Sequence, residues 1–194
     1  MMLSFLNSYL LILTVIGLNV PASSNAKFSS IRLKTRPVGI SICLYRVGTA
    51  NNIQELSNLE KHIDKANCVN LYKITEDLAI IFMDTNDPYS NMGALPYKML
   101  FGNVVKKQAG DLMINGFIPT EEVARICAWI RKTRIDNFDG FSEMYDKLSK
   151  DSKQQLEDIG ADDKKSLFTG YVEPLTEFYF AALREKNSIV ICVE

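Results

Sequence analysis

A single histidine, His62, occurs in the 194 residues, and no C-x-x-C pair links the four cysteines Cys43, Cys68, Cys127 and Cys192. The first scarcity confines any Ser-His-Asp or Cys-His centre to one imidazole. His62 follows Lys61 on the charged side of a helical stretch, which reads as a solvated surface residue. The second absence removes every short ligand spacing that marks a zinc site, so no metal is expected.

No G-x-G-x-x-G or Walker-type glycine loop occurs either. Gly93, Gly102, Gly110 and Gly116 are scattered as turn glycines, and neither nucleotide nor other cofactor is expected. Neither sign of charge dominates: 22 basic and 23 acidic residues leave a formal net charge of -1. A nucleic-acid backbone would find no electrostatic footprint. Acid pairs such as Glu121 with Glu122, Asp162 with Asp163 and Asp136 with Asp139 sit at helix starts or in loops, where capping and solvation account for them. No pair stands out for acid–base work, and no catalytic residue is nominated.

One absence is local. The first 26 residues hold no charged side chain, whereas the next ten carry Lys27, Arg32, Lys34 and Arg36 and no acid. An apolar stretch over residues 9–20, then Pro21, then small residues ending Ser24-Asn25-Ala26, reads as a secretory signal peptide over 1–26, with a second cleavage position after Val20 and Ala22. Asn7, Ser8 and Asn19 interrupt the run, which leaves it short for a membrane span; an uncleaved N-terminal anchor is the alternative. The expected mature chain begins near Lys27, works outside the cytoplasm in the periplasm or secreted, and keeps no stable membrane insertion. Residues 27–37 form a basic connector, and 38–194 a single domain.

What is present supports a core, since 47% of residues are hydrophobic and 23% charged. Alternation over 38–47 places Val38, Ile40, Ile42 and Leu44 on one side and Ser41, Cys43 and Tyr45 on the other, a strand. Ile53, Leu56, Leu59 and Ile63 follow at helical spacing, with Asn51 or Asn52 as cap. Residues 77–83 are too short to assign by period: Glu76 and Asp77 after Thr75 favour a helix start, the branched residues favour a strand, and the balance leans to helix. The middle, with turn chemistry at 85–96 and at Gly102-Asn103 and Ala109-Gly110-Asp111, reads as irregular. Thr120 caps a helix carrying Val123, Ile126, Cys127 and Ile130, and shorter helices follow around 141–148 and 153–159. A long helix over 163–186 kinks or restarts at Pro174. Asn187 ends it before a closing strand, 188–194. The order implies an α+β fold with a small mixed or antiparallel sheet that includes the first and last strands.

Three sets of residues are singled out. Tyr97, Lys98 and Asp111 are loop-borne polar groups that could line a ligand site within 88–116. Phe180 is the member of the 178–180 aromatic run expected to face outward, as a partner surface. Cys43 and Cys192, in the first and last strands, are placed for a disulfide, although the apolar setting of all four cysteines favours buried thiols.

Gly39-Ile40-Ser41 with Tyr45-Arg46-Val47, the run Leu95-Pro96-Tyr97-Lys98-Met99-Leu100-Phe101-Gly102, the helix entry Ile118-Pro119-Thr120-Glu121-Glu122-Val123, and Leu175-Thr176-Glu177-Phe178-Tyr179 through Ile189-Val190-Ile191 form a set of landmarks. In their order and spacing they resemble the YfbM-like family of bacterial domains of unknown function. The resemblance covers the chain from Val38 onward and implies one α+β domain and no activity. The Trp and His frequent in an N-terminal helix of that family are absent from residues 76–83, and the leader is an addition. The expected function is a non-enzymatic, exported domain that binds another protein, of inhibitor or immunity type. The alternative is a small-ligand-binding protein or hydrolase with its site in 88–116.

Overall fold

The computed structural model describes residues 41–55, 63, 68–72, 74–109, 112–158, 160 and 163–193. The leader 1–26, the connector 27–37, the strand start 38–40, His62 and Asp111 lie outside the described residues, as does most of the helix expected after Asn52.

Among the described residues five strands form one antiparallel sheet: β1 (Ile42–Val47), β2 (Cys68–Tyr72), β3 (Asn103–Ala109), β4 (Leu112–Ile118) and β5 (Ser188–Val193), in the order β2-β1-β5-β4-β3. The alternation of β1 divides the sheet's faces as its sequence requires. Leu44, opposite Ile191 and Val69, faces the helices. Cys43, Tyr45 and Val47 face the other way, into a second cluster with Val190, Cys192, Ile114 and Phe117. Ala50 and Ile53 cover that second face, and Asn52 Oδ1 caps their short turn by accepting from the backbone N–H groups of Gln54 and Glu55.

The middle of the chain is regular, contrary to its reading as loops. It supplies helix α2 (Leu95–Phe101) and both strands β3 and β4. Irregular register hid them. On β4, Ile114 lies opposite Cys192 and Gly116 opposite Ile191, so Asn115 is an extra residue between them. That bulge puts Ile114 and Phe117 on one face despite their odd spacing, which destroys the period-two signal. A second irregularity lies between Val104 and Lys107 on the edge strand β3.

The helices are α1 (Thr75–Met83), α3 (Thr120–Thr133), α4 (Phe138–Asp146), α5 (Lys150–Asp158), α6 (Lys164–Leu167) and α7 (Glu173–Glu185). Helix α1 is buried along almost its whole length, through Leu78, Ala79, Ile80, Ile81 and Phe82. A helix buried all round has no polar stripe, so period could not identify it. On α3 the expected stripe of Val123, Ile126, Cys127 and Ile130 is buried without exception. Its N-cap, however, is Pro119, and Thr120 Oγ1 lies 3.0 Å from Ser188 Oγ, tying the helix to β5 instead. Pro174 falls in the first turn of α7, after a π-helical turn over Phe168–Val172. Across that wider turn the Glu173 backbone N–H donates to the Phe168 carbonyl oxygen, and the backbone stays helical, so where the sequence implied a kink or restart at Pro174 the helix carries a π-turn just before it.

Helix α2 packs tightly on β4. It ends at Gly102, whose φ of +66° suits glycine, and a Cβ on Gly116 would overlap the Phe101 carbonyl oxygen.

Candidate functional site

The middle segment places its polar residues on separate neighbours. Tyr97 is 4% exposed and stacks on Phe101 with ring centroids 4.7 Å apart, with Tyr89 at 6.2 Å completing an aromatic trio. Burial raises the Tyr97 phenol. Tyr89 is half outside, and its Oη donates to Glu76 Oε1 at 3.0 Å. Burial and then the Glu76 charge push its phenol up to about 12, so it stays neutral at any working pH.

Lys98 points to a carboxylate on α3. Its Nζ donates to Glu122 Oε1 at 2.9 Å, Asn103 Nδ2 donates to Glu122 Oε2 at 3.1 Å, and Arg125 approaches at 3.4 Å. Burial alone would raise the Glu122 carboxyl, but the hydrogen bonds from Lys98 and Asn103 with both cations hold it below its ordinary value. A carboxylate so committed is a weak proton acceptor and an effective tie between α2, β3 and α3. In the sequence Glu122 is accounted for by its place at a helix start, through capping and solvation. Only the fold brings Lys98 to it, because the two are 24 residues apart.

A cleft of 570 Å³ opens elsewhere, where the C-terminal ends of α1 and α3 meet α4. Phe82, Met144 and Leu148 contribute apolar lining, while Lys132, Arg134, Glu143 and Lys147 supply charge. Glu143 pairs with Lys147 at 2.6 Å and with Arg134 at 4.0 Å, so one carboxylate serves two of the cations, and the lining, which also includes Asp84, keeps a net positive charge. Asp84 and Arg134, which end α1 and α3, both have left-handed backbones, and a Cβ on Gly140 would overlap the Arg134 carbonyl oxygen. Nothing in the sequence flagged this cleft, since three separated helix segments build it.

Apolar side chains stand exposed on the β3–β4 hairpin. Val104 is 66% exposed and Met113 55%. Val104 lies opposite Gly116, and Met113 opposite Val193, which places both on the helix-bearing face of the sheet, beyond the cover of the helices. Phe180 is half-buried against the core, and the Arg131 guanidinium lies 5.2 Å from its ring centroid.

The cysteines divide by location. Cys43 and Cys192 are buried and directly opposite in the β1–β5 register. Cys127 is buried on α3, where its thiol donates to the Tyr179 carbonyl oxygen at 3.3 Å and burial pushes it up to about 11. Cys68 is exposed, unlike the buried thiol its apolar sequence suggested. Among the described residues no group of three or more His, Cys, Asp or Glu could hold a metal ion, and no helix is long and apolar enough to cross a membrane.

No protein-family model and no curated protein matches the chain. Among solved structures, it is similar to YfbM from Escherichia coli, a protein of unknown function, at 14% identity and a TM-score of 0.51, over 80% of this chain and 100% of that one. The fold is YfbM-like, as the sequence landmarks implied.

Proposed function

We propose that this YfbM-like fold is a non-enzymatic domain, working outside the cytoplasm, that binds another protein as an inhibitor or immunity-type partner would. The supporting observation is the β3–β4 hairpin, which holds Val104 of the edge strand β3 and Met113 of its neighbour β4 in water. Exposed apolar side chains on an edge hairpin are a contact surface awaiting cover. Lys98, one of the polar groups of the middle segment, is engaged by Glu122 of α3, which adds to the case against chemistry there.

A small-ligand reading draws on the α1–α3–α4 cleft rather than on residues 88–116. Its volume suits a small molecule, and its lining carries more positive than negative side chains, although Glu143 is already engaged by Lys147 and Arg134.

The test is affinity capture with crosslinking from envelope extracts of the native host, using the wild-type chain and a Val104→Asp/Met113→Asp variant. A single protein recovered by the wild type and lost from an equally stable variant is the expected result. No specific protein, or one recovered equally by both chains, would overturn the reading. Intact mass of the native protein reports export: a chain retaining residues 1–26 in the cytoplasmic fraction would exclude it.

A further inference from the structure

The sheet register singles out one pair among the four cysteines. Cys43 on β1 and Cys192 on β5 are direct cross-strand partners. Opposed residues in antiparallel strands have Cα atoms about 4.5 or 5.5 Å apart, according to the type of pair. Both values fall inside the roughly 4.4–6.8 Å that a disulfide spans. Cys68 pairs with Tyr45 while Asn70 pairs with Cys43, so Cys68 is diagonal to Cys43, at about 7–8 Å for such neighbours. Cys127 belongs to the helix-side cluster, whereas Cys43 and Cys192 belong to the cluster on the opposite face.

We propose that Cys43 and Cys192 form a cross-strand disulfide when the chain folds in an oxidising compartment, locking the first described strand to the last. A small-molecule disulfide is the oxidant. Its sulfur–sulfur bond breaks, the Cys43–Cys192 bond forms, and the two thiol protons leave on the two reduced oxidant molecules. The bridge closes during folding, before Ala50 and Ile53 seal the second face, because in the folded protein Cys43 is 2% and Cys192 0% exposed. The loop it closes takes in almost the whole described chain, which is where a crosslink removes most freedom from the unfolded state. Placement outside the cytoplasm would supply the oxidising setting.

The experiment refolds the full chain from the reduced, denatured state across a series of glutathione to glutathione disulfide ratios. Two of the four thiols should disappear, a non-reducing peptide map should join the Cys43 and Cys192 peptides, and reduction should lower Tm by about 10 °C. A Cys68→Ser/Cys127→Ser variant should keep the bridge. Four thiols persisting at every ratio, or crosslinks running through Cys68 or Cys127, would overturn the proposal, and the wild-type map decides this even where the variant fails to fold. A bridge that forms in vitro while the native-host protein carries both thiols reduced would leave the pair standing and count against export.

Discussion

Tyr179 Oη donates to the Met99 carbonyl oxygen at 2.7 Å, a buried bond that joins α7 to the last turn of α2 across the centre of the core. Met99 lies among the final residues of its helix, where carbonyls lack intrahelical partners, so the phenol satisfies an acceptor that no water reaches.

Tyr179→Phe should therefore lower stability by about 1–2 kcal/mol with the fold intact, the cost of a buried carbonyl left without a donor. Urea denaturation measures it. An unchanged midpoint would show that the carbonyl finds another partner.

Close packing of α2 on β4, and of α4 on the end of α3, makes two glycines intolerant of a single methyl group. Gly116→Ala and Gly140→Ala should each destabilise by roughly 3 kcal/mol or more, because the obstructing atoms are backbone carbonyl oxygens that cannot step aside. Gly93→Ala, where the nearest atom stands 3.8 Å away, should stay within about 0.5 kcal/mol. Thermal melts of the three variants make the comparison.

The Lys98–Glu122 pair gives stability a dependence on acid. The Glu122 carboxyl is held below its ordinary value of 4.5 in the folded protein. Its contribution is then complete above about pH 5 and disappears as pH falls through the folded value. Lys98→Met should cost about 1–3 kcal/mol at pH 7, since Arg125 and Asn103 remain, and the gap to the wild type should shrink below pH 4. Denaturant midpoints at pH 7 and pH 3.5 test the sign: a gap that widens in acid would contradict it.

Lys186 closes α7 with a left-handed backbone, at φ 56°. Glycine takes that conformation without the clash a Cβ brings, so Lys186→Gly should stabilise the protein by about 0.5–1 kcal/mol, read as a higher Tm.

Legibility followed the regularity of the local signal. The faces of β1, the stripe of α3, the irregularity before Pro174 and the closing strand β5 each follow a simple local signal, and each stands where the sequence put it. Helix α1 is apolar from Leu78 to Met83, after its polar first turn, and strands β3 and β4 change face at irregularities, so none of the three kept a single period over its length. The site residues were harder still. Tyr97 and Lys98 are neighbours in sequence with opposite fates, one entering the aromatic trio and the other reaching Glu122. Nothing local to Glu122 reports that Lys98 will arrive. The opposition of Cys43 and Cys192, by contrast, could be inferred from two end strands of like character.

The order β2-β1-β5-β4-β3 has a bearing on biogenesis. The strand made last of the five lies in the middle of the sheet, between β1 and β4. Until residues 188–193 leave the ribosome or a translocation channel, β1–β2 and β3–β4 are two hairpins with no shared ladder. Completion of the sheet is thus a single late event, and a chain stopped short of Ser188 would present two raw strand edges at once to whatever chaperone or protease stands nearby.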